Sequence, residues 1–380
     1  MTGRAFRAML LVLGSLWAFP GMANAASAGG AIPVTKIPKP HVAEPRVKGV
    51  PKPKPVHAKL RALPEGLADY VPFDIAPFPF DGVKPSEGVF LNVFAAGRRG
   101  HASRGLTYWE DTTYNDRRTL LYMPKGFDIR KPAVMVVFFH GNGATLQRDV
   151  FARQQVPRQV LQSGLNAVLV APQFAVDAMD SAAGSFWQPG TFRQFLDEAT
   201  VHLVELYGDE RTRGAFAKMP IVLVAYSGGY NPAAYVLDRG GADPHRIKGV
   251  FLMDALYGEV PKFADWVTKN RDAFFVSSYT SSSAGGNNTM RSLLAQQSIS
   301  LAKTLPARLS KGTVSFVPAL PDAVHGDFVT HAFCDDPIKE VLLRLPEYAH
   351  KPGAVKSKYK PPLLQQELQV MQDTPDPQTP

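Results

Sequence analysis

The sequence predicts an α/β protein built on a doubly wound, mostly parallel sheet flanked by helices. Continuous apolar runs without polar alternation carry that prediction, together with helical spacing in the segments between them and Gly-rich turns after two of the runs. Strands buried on both faces lose the in-out alternation because neither face meets water, which is the situation in a parallel sheet covered by helices. Strand and helix signals alternate over residues 118–345, as in one doubly wound domain.

Residues 88–94 and 118–123 read as short strands, followed by clearer apolar runs at 133–139, 167–170, 221–224, 250–253, 273–276 and 314–317. Phe192, Phe195, Leu196, Leu203, Val204 and Leu206 recur at helical steps, and Gly208 supplies a C-terminal stop. Further helices are expected at 146–161, interrupted near Pro157, and at 232–237, 261–267, 290–305 and 337–345. Gly285, Gly286, Asn287 and Asn288 read as a loop, either mobile and near the site or, more simply, ordinary surface.

The chain divides by composition. Arg4 and Arg7 precede an apolar run over 9–22, and Ala23-Asn24-Ala25 supplies a cleavage site, so residues 1–25 read as a secretory signal peptide. That run is too short to cross a bilayer comfortably, and no later stretch is long and apolar enough to do so. The formal charge of +9 does not point to nucleic acid, because residues 1–63 carry ten Lys or Arg against one acid, while residues 64–380 carry 32 of each sign. Once the signal is set aside, the excess falls in a basic, Pro-rich linker over 26–63. That composition favours an extended spacer, with contact to an anionic envelope polymer as an alternative role. The globular domain is expected over 64–349, and 350–380 is expected to be a largely disordered tail. Cys334 is the one cysteine, so no internal disulfide is possible, and it is read as a packed small hydrophobe.

The chemistry concentrates at Ala225-Tyr226-Ser227-Gly228-Gly229, which follows the run 221–224 and precedes a helix. A serine on a tight strand-to-helix turn needs small neighbours, and such a turn lifts its hydroxyl above the sheet as a nucleophile. Ala225 stands where the usual pattern has glycine, and it keeps the position small. His140-Gly141-Asn142-Gly143 follows the run 133–139, and its small residues let backbone N–H groups approach a carbonyl oxygen. Gly228 with Asn142 or Gly141 are therefore the expected oxyanion donors, and His140 is read as holding its loop. The Gly141-Asn142-Gly143 stretch lacks the third glycine of a dinucleotide site and the Lys of a phosphate loop. No metal-binding spacing stands out either, so no cofactor or metal is expected.

These motifs make the chain resemble the α/β-hydrolase superfamily over residues 118–345. Leu121-Tyr122-Met123-Pro124-Lys125-Gly126-Phe127 is similar to the opening of its secreted esterase and depolymerase-like members. The resemblance implies an α/β-hydrolase fold with no separate lid domain and a histidine after the last strand. Here that histidine is His325, with His331 as a rival read as supporting. Many members place the acid after the strand at 273–276, but residues 277–288 contain no Asp or Glu. Asp254, directly after 250–253, is then the candidate acid, with a loop-bracing role as the alternative; Asp322 and Asp327 read as turn residues. The function implied is an exported, periplasmic or secreted serine hydrolase cleaving carboxylic esters through Ser227, His325 and Asp254. An amidase or peptidase acting on envelope material, or a non-catalytic envelope-binding relative, remain alternatives. Tyr226, Trp187 and Phe186 are the expected substrate contacts. The insertion over 174–190 is expected to wall an open, apolar cleft for a small or polymeric ester.

Overall fold

The structure is a computed structural model that describes residues 61–63, 65–85, 88–351, 357 and 359. The signal-peptide segment, most of the linker and most of the C-terminal tail lie outside the described residues.

The apolar runs form one nine-stranded sheet. In chain order its strands are β1 (Arg61–Leu63), β2 (Gly66–Pro72), β3 (Arg118–Pro124), β4 (Val134–Phe139), β5 (Ala167–Pro172), β6 (Ile221–Tyr226), β7 (Ile247–Met253), β8 (Phe274–Tyr279) and β9 (Val314–Pro318). Their spatial order is β1-β2-β3-β5-β4-β6-β7-β8-β9. β5, β4, β6, β7, β8 and β9 run parallel, whereas β1, β2 and β3 join antiparallel at one edge. This is the α/β-hydrolase arrangement.

The absence of alternation in the sequence has a direct physical origin. In β4, Val134, Val136 and Phe138 enter one apolar layer, while Met135, Val137 and Phe139 enter the opposite one. Each large apolar side chain so buried contributes roughly 1.5–3 kcal/mol. α1 (Val156–Gln162) and α6 (Pro337–Leu342) cover the first layer. α2 (Thr191–Tyr207), α3 (Tyr230–Arg239), α4 (Val260–Lys269) and α5 (Ala284–Gln296) cover the second. α2 stops where expected: Gly208 takes φ +80° and its N–H returns to the Val204 carbonyl at 2.9 Å.

Three expected elements differ. The helix expected over 146–161 is a π-helical segment, Leu146–Arg153, followed by α1. The break falls at Gln155, at φ +52°, and Pro157 lies in the first turn of α1, where its missing N–H costs nothing. Gly285, Gly286, Asn287 and Asn288 are not a loop but the start of α5, which ends at Gln296 rather than near residue 305. Gly286 lets the helix approach β7's following loop, since a Cβ there would lie 1.9 Å from the Leu256 carbonyl oxygen. Buried Asn287 accepts from Ser277 Oγ at 2.7 Å and donates to the Ser283 carbonyl at 2.9 Å. The strand read over 88–94 is split: Gly88–Val89 pairs with Val83–Lys84, and Val93–Ala95 opens an antiparallel meander with Arg98–Ser103 and Leu106–Trp109.

The composition boundaries also meet structure. β1 lies in the segment read as linker and pairs with β2. In the segment read as tail, His350 bridges to Leu165, and the Tyr359 ring meets Phe333 edge-on at 5.4 Å.

The order of β5, β4 and β6 sets up the site. The chain leaves β4 toward one side of the sheet and returns on the other, so a crevice forms beyond the C-terminal ends of β4 and β6. The His-Gly-Asn-Gly turn and Ser227 follow those two ends.

Candidate active site

β6 ends at Tyr226, and Ser227 turns sharply into the short turn Ser227–Gly229 that leads to α3. Ser227 takes φ +51°, a left-handed conformation that a non-glycine residue adopts only under strain. Close packing explains the small neighbours. A Cβ on Gly141 would lie 2.8 Å from Ser227 Cβ, and one on Gly228 would lie 2.0 Å from Asn142 Oδ1. The turns after β4 and β6 therefore abut, bringing the expected oxyanion donors Gly141, Asn142 and Gly228 around the serine. Ala225 is wholly buried within β6, where a methyl is accommodated.

Register supplies the partner. Tyr226 pairs with Met253, so the next residues, Ser227 and Asp254, leave neighbouring strands side by side. Asp254 is also left-handed, at φ +43°. His325 lies between them: its Nε2 is 2.8 Å from Ser227 Oγ and its Nδ1 is 2.6 Å from Asp254 Oδ2. Asp254 is completely buried. Burial alone would raise its pKa, but hydrogen bonds from His325, Ser283 and Thr280 outweigh that cost and hold the carboxyl well below the usual carboxylate range.

The loop after β8, which contains no acid, supplies donors instead. Thr280 N–H and Oγ1 reach Asp254 at 3.0 and 2.9 Å, Ser282 Oγ at 3.0 Å, and Ser283 Oγ bonds Oδ1. Tyr257 OH lies 3.2 Å from both Asp254 Oδ2 and His325 Nδ1. Sequence reasoning missed these residues, and the one signal was the hydroxyl run Thr280-Ser281-Ser282-Ser283.

The loop carrying His325 is held from two sides. Tyr226 OH donates to the His325 carbonyl at 2.6 Å while its ring stacks on the imidazole at 5.3 Å. Arg153, at the end of the π-helical segment, donates to the Gly326 carbonyl at 2.8 Å and to buried Asp149 at 2.9 Å. Tyr226 thus touches the histidine directly. The rival His331 sits between Asp335 at 2.7 Å and Asp322 at 3.3 Å, away from Ser227, and makes a bridge rather than a helical turn. His140 is buried, with Nδ1 2.8 Å from the Gly141 carbonyl and Nε2 accepting the Phe174 N–H at 2.9 Å. It holds its loop.

The expected apolar wall is corrected. Phe186 is fully buried, its ring packed among Phe139, Phe174, Phe192 and Phe195, so it belongs to the core and cannot touch a substrate. Trp187 donates from Nε1 to Asn231 Oδ1 at 3.1 Å and borders a cavity of about 360 Å³. That cavity is polar, and the insertion contributes Asp180, Ser181 and Ala182 to it rather than its phenylalanines. Ser181 Oγ bonds Asn142 Oδ1 at 3.2 Å, which places the cavity next to the serine turn. Among the described residues, no group of three or more His, Cys, Asp or Glu is placed to hold a metal ion.

No protein-family model matches the sequence, and no curated protein matches it. Among solved structures, the chain is similar to a serine-to-alanine mutant of the feruloyl esterase module from Clostridium thermocellum complexed with sinapinate. That match has 15% identity and a TM-score of 0.40, covering 74% of this chain and 98% of that one. An IroE-like serine hydrolase from Shewanella oneidensis matches at 12% identity and TM-score 0.38, covering 61% and 75%. Thermogutta terrifontis esterase 2 phosphorylated by paraoxon matches at 12% and 0.36, covering 60% and 85%. Likenesses this slight transfer no activity, which has to come from the site itself.

Proposed function

We propose that the chain is an exported carboxylic ester hydrolase that works through an acyl-enzyme on Ser227. One observation carries this proposal: an unbroken hydrogen-bond path runs from a fully buried carboxylate, Asp254, through both nitrogens of His325 to a hydroxyl on a strained turn. Ser227 Oγ attacks the ester carbonyl carbon as its proton passes to His325 Nε2, and Asp254 stabilises the imidazolium and fixes Nδ1–H toward itself. The oxyanion is received by the backbone N–H groups of Gly228 and of Asn142 or Gly141. His325 then protonates the leaving alcohol; in the second half it takes a proton from water, whose oxygen attacks the acyl-enzyme carbonyl, and returns that proton to Ser227 Oγ as the acid leaves. Export is supported by Arg4, Arg7, the apolar run and Ala23-Asn24-Ala25.

Hydrolysis of short 4-nitrophenyl esters, paired with fluorophosphonate labelling, tests the proposal. The folded protein should label at Ser227, and Ser227→Ala should lose the label and about a millionfold in kcat. A folded wild-type chain that neither labels nor turns over any ester would refute it.

A further inference from the structure

The cavity beside the serine turn is built for charge. Arg104, Asp180, Ser181, Tyr230, Asn231 and Glu259 line it. Its Tyr230 wall leads toward His325 through one further residue, because the Tyr230 ring lies 6.3 Å from that of Tyr257, whose hydroxyl reaches His325. The two acids are already engaged. Asp180, buried, receives Tyr114 OH at 2.6 Å and the Ala182 N–H at 3.1 Å, and Glu259 is paired with Lys262 at 2.6 Å. Arg104 is exposed and makes no ion pair among the described residues. It sits in the hairpin turn between two meander strands at φ +49°, followed by Gly105 at φ +77°. The same meander is fastened to the insertion, since Tyr108 OH accepts the Met179 N–H at 3.1 Å. The Arg104 charge also reaches the hydroxyls of Tyr230 and Tyr257, where it opposes the effect of their burial.

We propose that this cavity is a subsite for an anionic part of the ester, with the Arg104 guanidinium as counter-ion to a substrate carboxylate. The inference rests on the ester-hydrolase reading and names the substrate class for it. A guanidinium presents a planar fork of donors that matches a carboxylate, so even an exposed arginine can favour an anionic substrate group by geometry as well as charge. A purely alkyl acyl chain would instead strand the polar groups lining the cavity.

Two pairs of esters test the subsite, because the anion could lie on either side of the scissile bond. The acyl pair is 4-nitrophenyl hydrogen adipate against 4-nitrophenyl methyl adipate; the alcohol pair is 4-acetoxybenzoate against its methyl ester. In at least one pair the acid should be preferred by about tenfold in kcat/KM, the worth of one charge-assisted hydrogen bond. Arg104→Ala should bring that ratio to about one, Arg104→Lys should keep part of it, and raising the salt concentration should shrink it. Equal turnover within both pairs, or a preference that survives Arg104→Ala, overturns the proposal. If no ester is turned over and Ser227 does not label, it is the hydrolase reading that has failed. Calorimetric titration of Ser227→Ala with monomethyl adipate then decides the subsite: binding weakened about tenfold by adding Arg104→Ala supports it, and absent or unchanged binding refutes it.

Discussion

His140 and His325 stand in loops leaving the C-terminal ends of parallel strands, β4 and β9, and each ring is bonded at both nitrogens. Their partners differ. His140 places Nδ1 against a backbone carbonyl and Nε2 against a backbone N–H that never gives up its proton. His325 faces a carboxylate on one side and a hydroxyl on the other, and 39% of its side chain is open to solvent. His140 belongs to the more conspicuous motif, His-Gly-Asn-Gly, yet the groups at its nitrogens suit it only to bracing. A histidine becomes a proton carrier through what lies on each side of it.

Removing the carboxylate should sharpen this contrast most. Asp254→Asn keeps the shape of the side chain but favours the wrong tautomer of His325, and kcat should fall by about ten thousandfold while the protein stays folded. Activity within tenfold of wild type would break the comparison and move the acid elsewhere. The braced histidine should show itself in stability instead. Burial pulls the His140 pKa from 6.5 down to about 4, so the unfolded chain takes up a proton first as the pH falls. That contribution is complete above about pH 6.5, is lost between there and about pH 4, and amounts to about 3 kcal/mol. Urea unfolding across this range should show the loss, and His140→Asn should flatten that part of the curve; an unchanged slope would mean that His140 titrates normally.

Smaller effects should come from the two holders of the His325 loop. Tyr226→Phe removes the hydroxyl on the His325 carbonyl and should lower kcat about tenfold or less, with KM little changed, as expected for the loss of one hydrogen bond. Arg153→Met removes the bond to the Gly326 carbonyl, which lies on the chain next to the histidine, and should cost only a few fold. A larger loss from Arg153→Met than from Tyr226→Phe would reverse the assignment of the main brace, and steady-state kinetics on both variants would show it.

Ser227 is legible in the sequence because an apolar run, a serine and two glycines occupy adjacent positions, and the strain of the turn dictates that composition. His325 follows from strand order. Asp254 emerges only by elimination, and its hydroxyl ring is invisible because Thr280, Ser282 and Ser283 meet it across the register of β7 and β8 rather than along the chain. Phe186 misleads for a related reason: an apolar side chain announces that it will be buried but not against what. The meander that carries Arg104 has short strands and an Arg- and Gly-rich sequence, so it leaves no periodic trace, and its role beside the cavity arises only from packing.

The left-handed backbone at Ser227 also bears on what else could occupy the turn. Glycine would rest at φ +51° without that distortion, worth on the order of 1 kcal/mol, but its greater freedom in the unfolded chain would return a similar amount and the bond to His325 Nε2 would be lost. Under the proposed mechanism the turn therefore keeps its strained backbone at little net cost, for the sake of one oxygen.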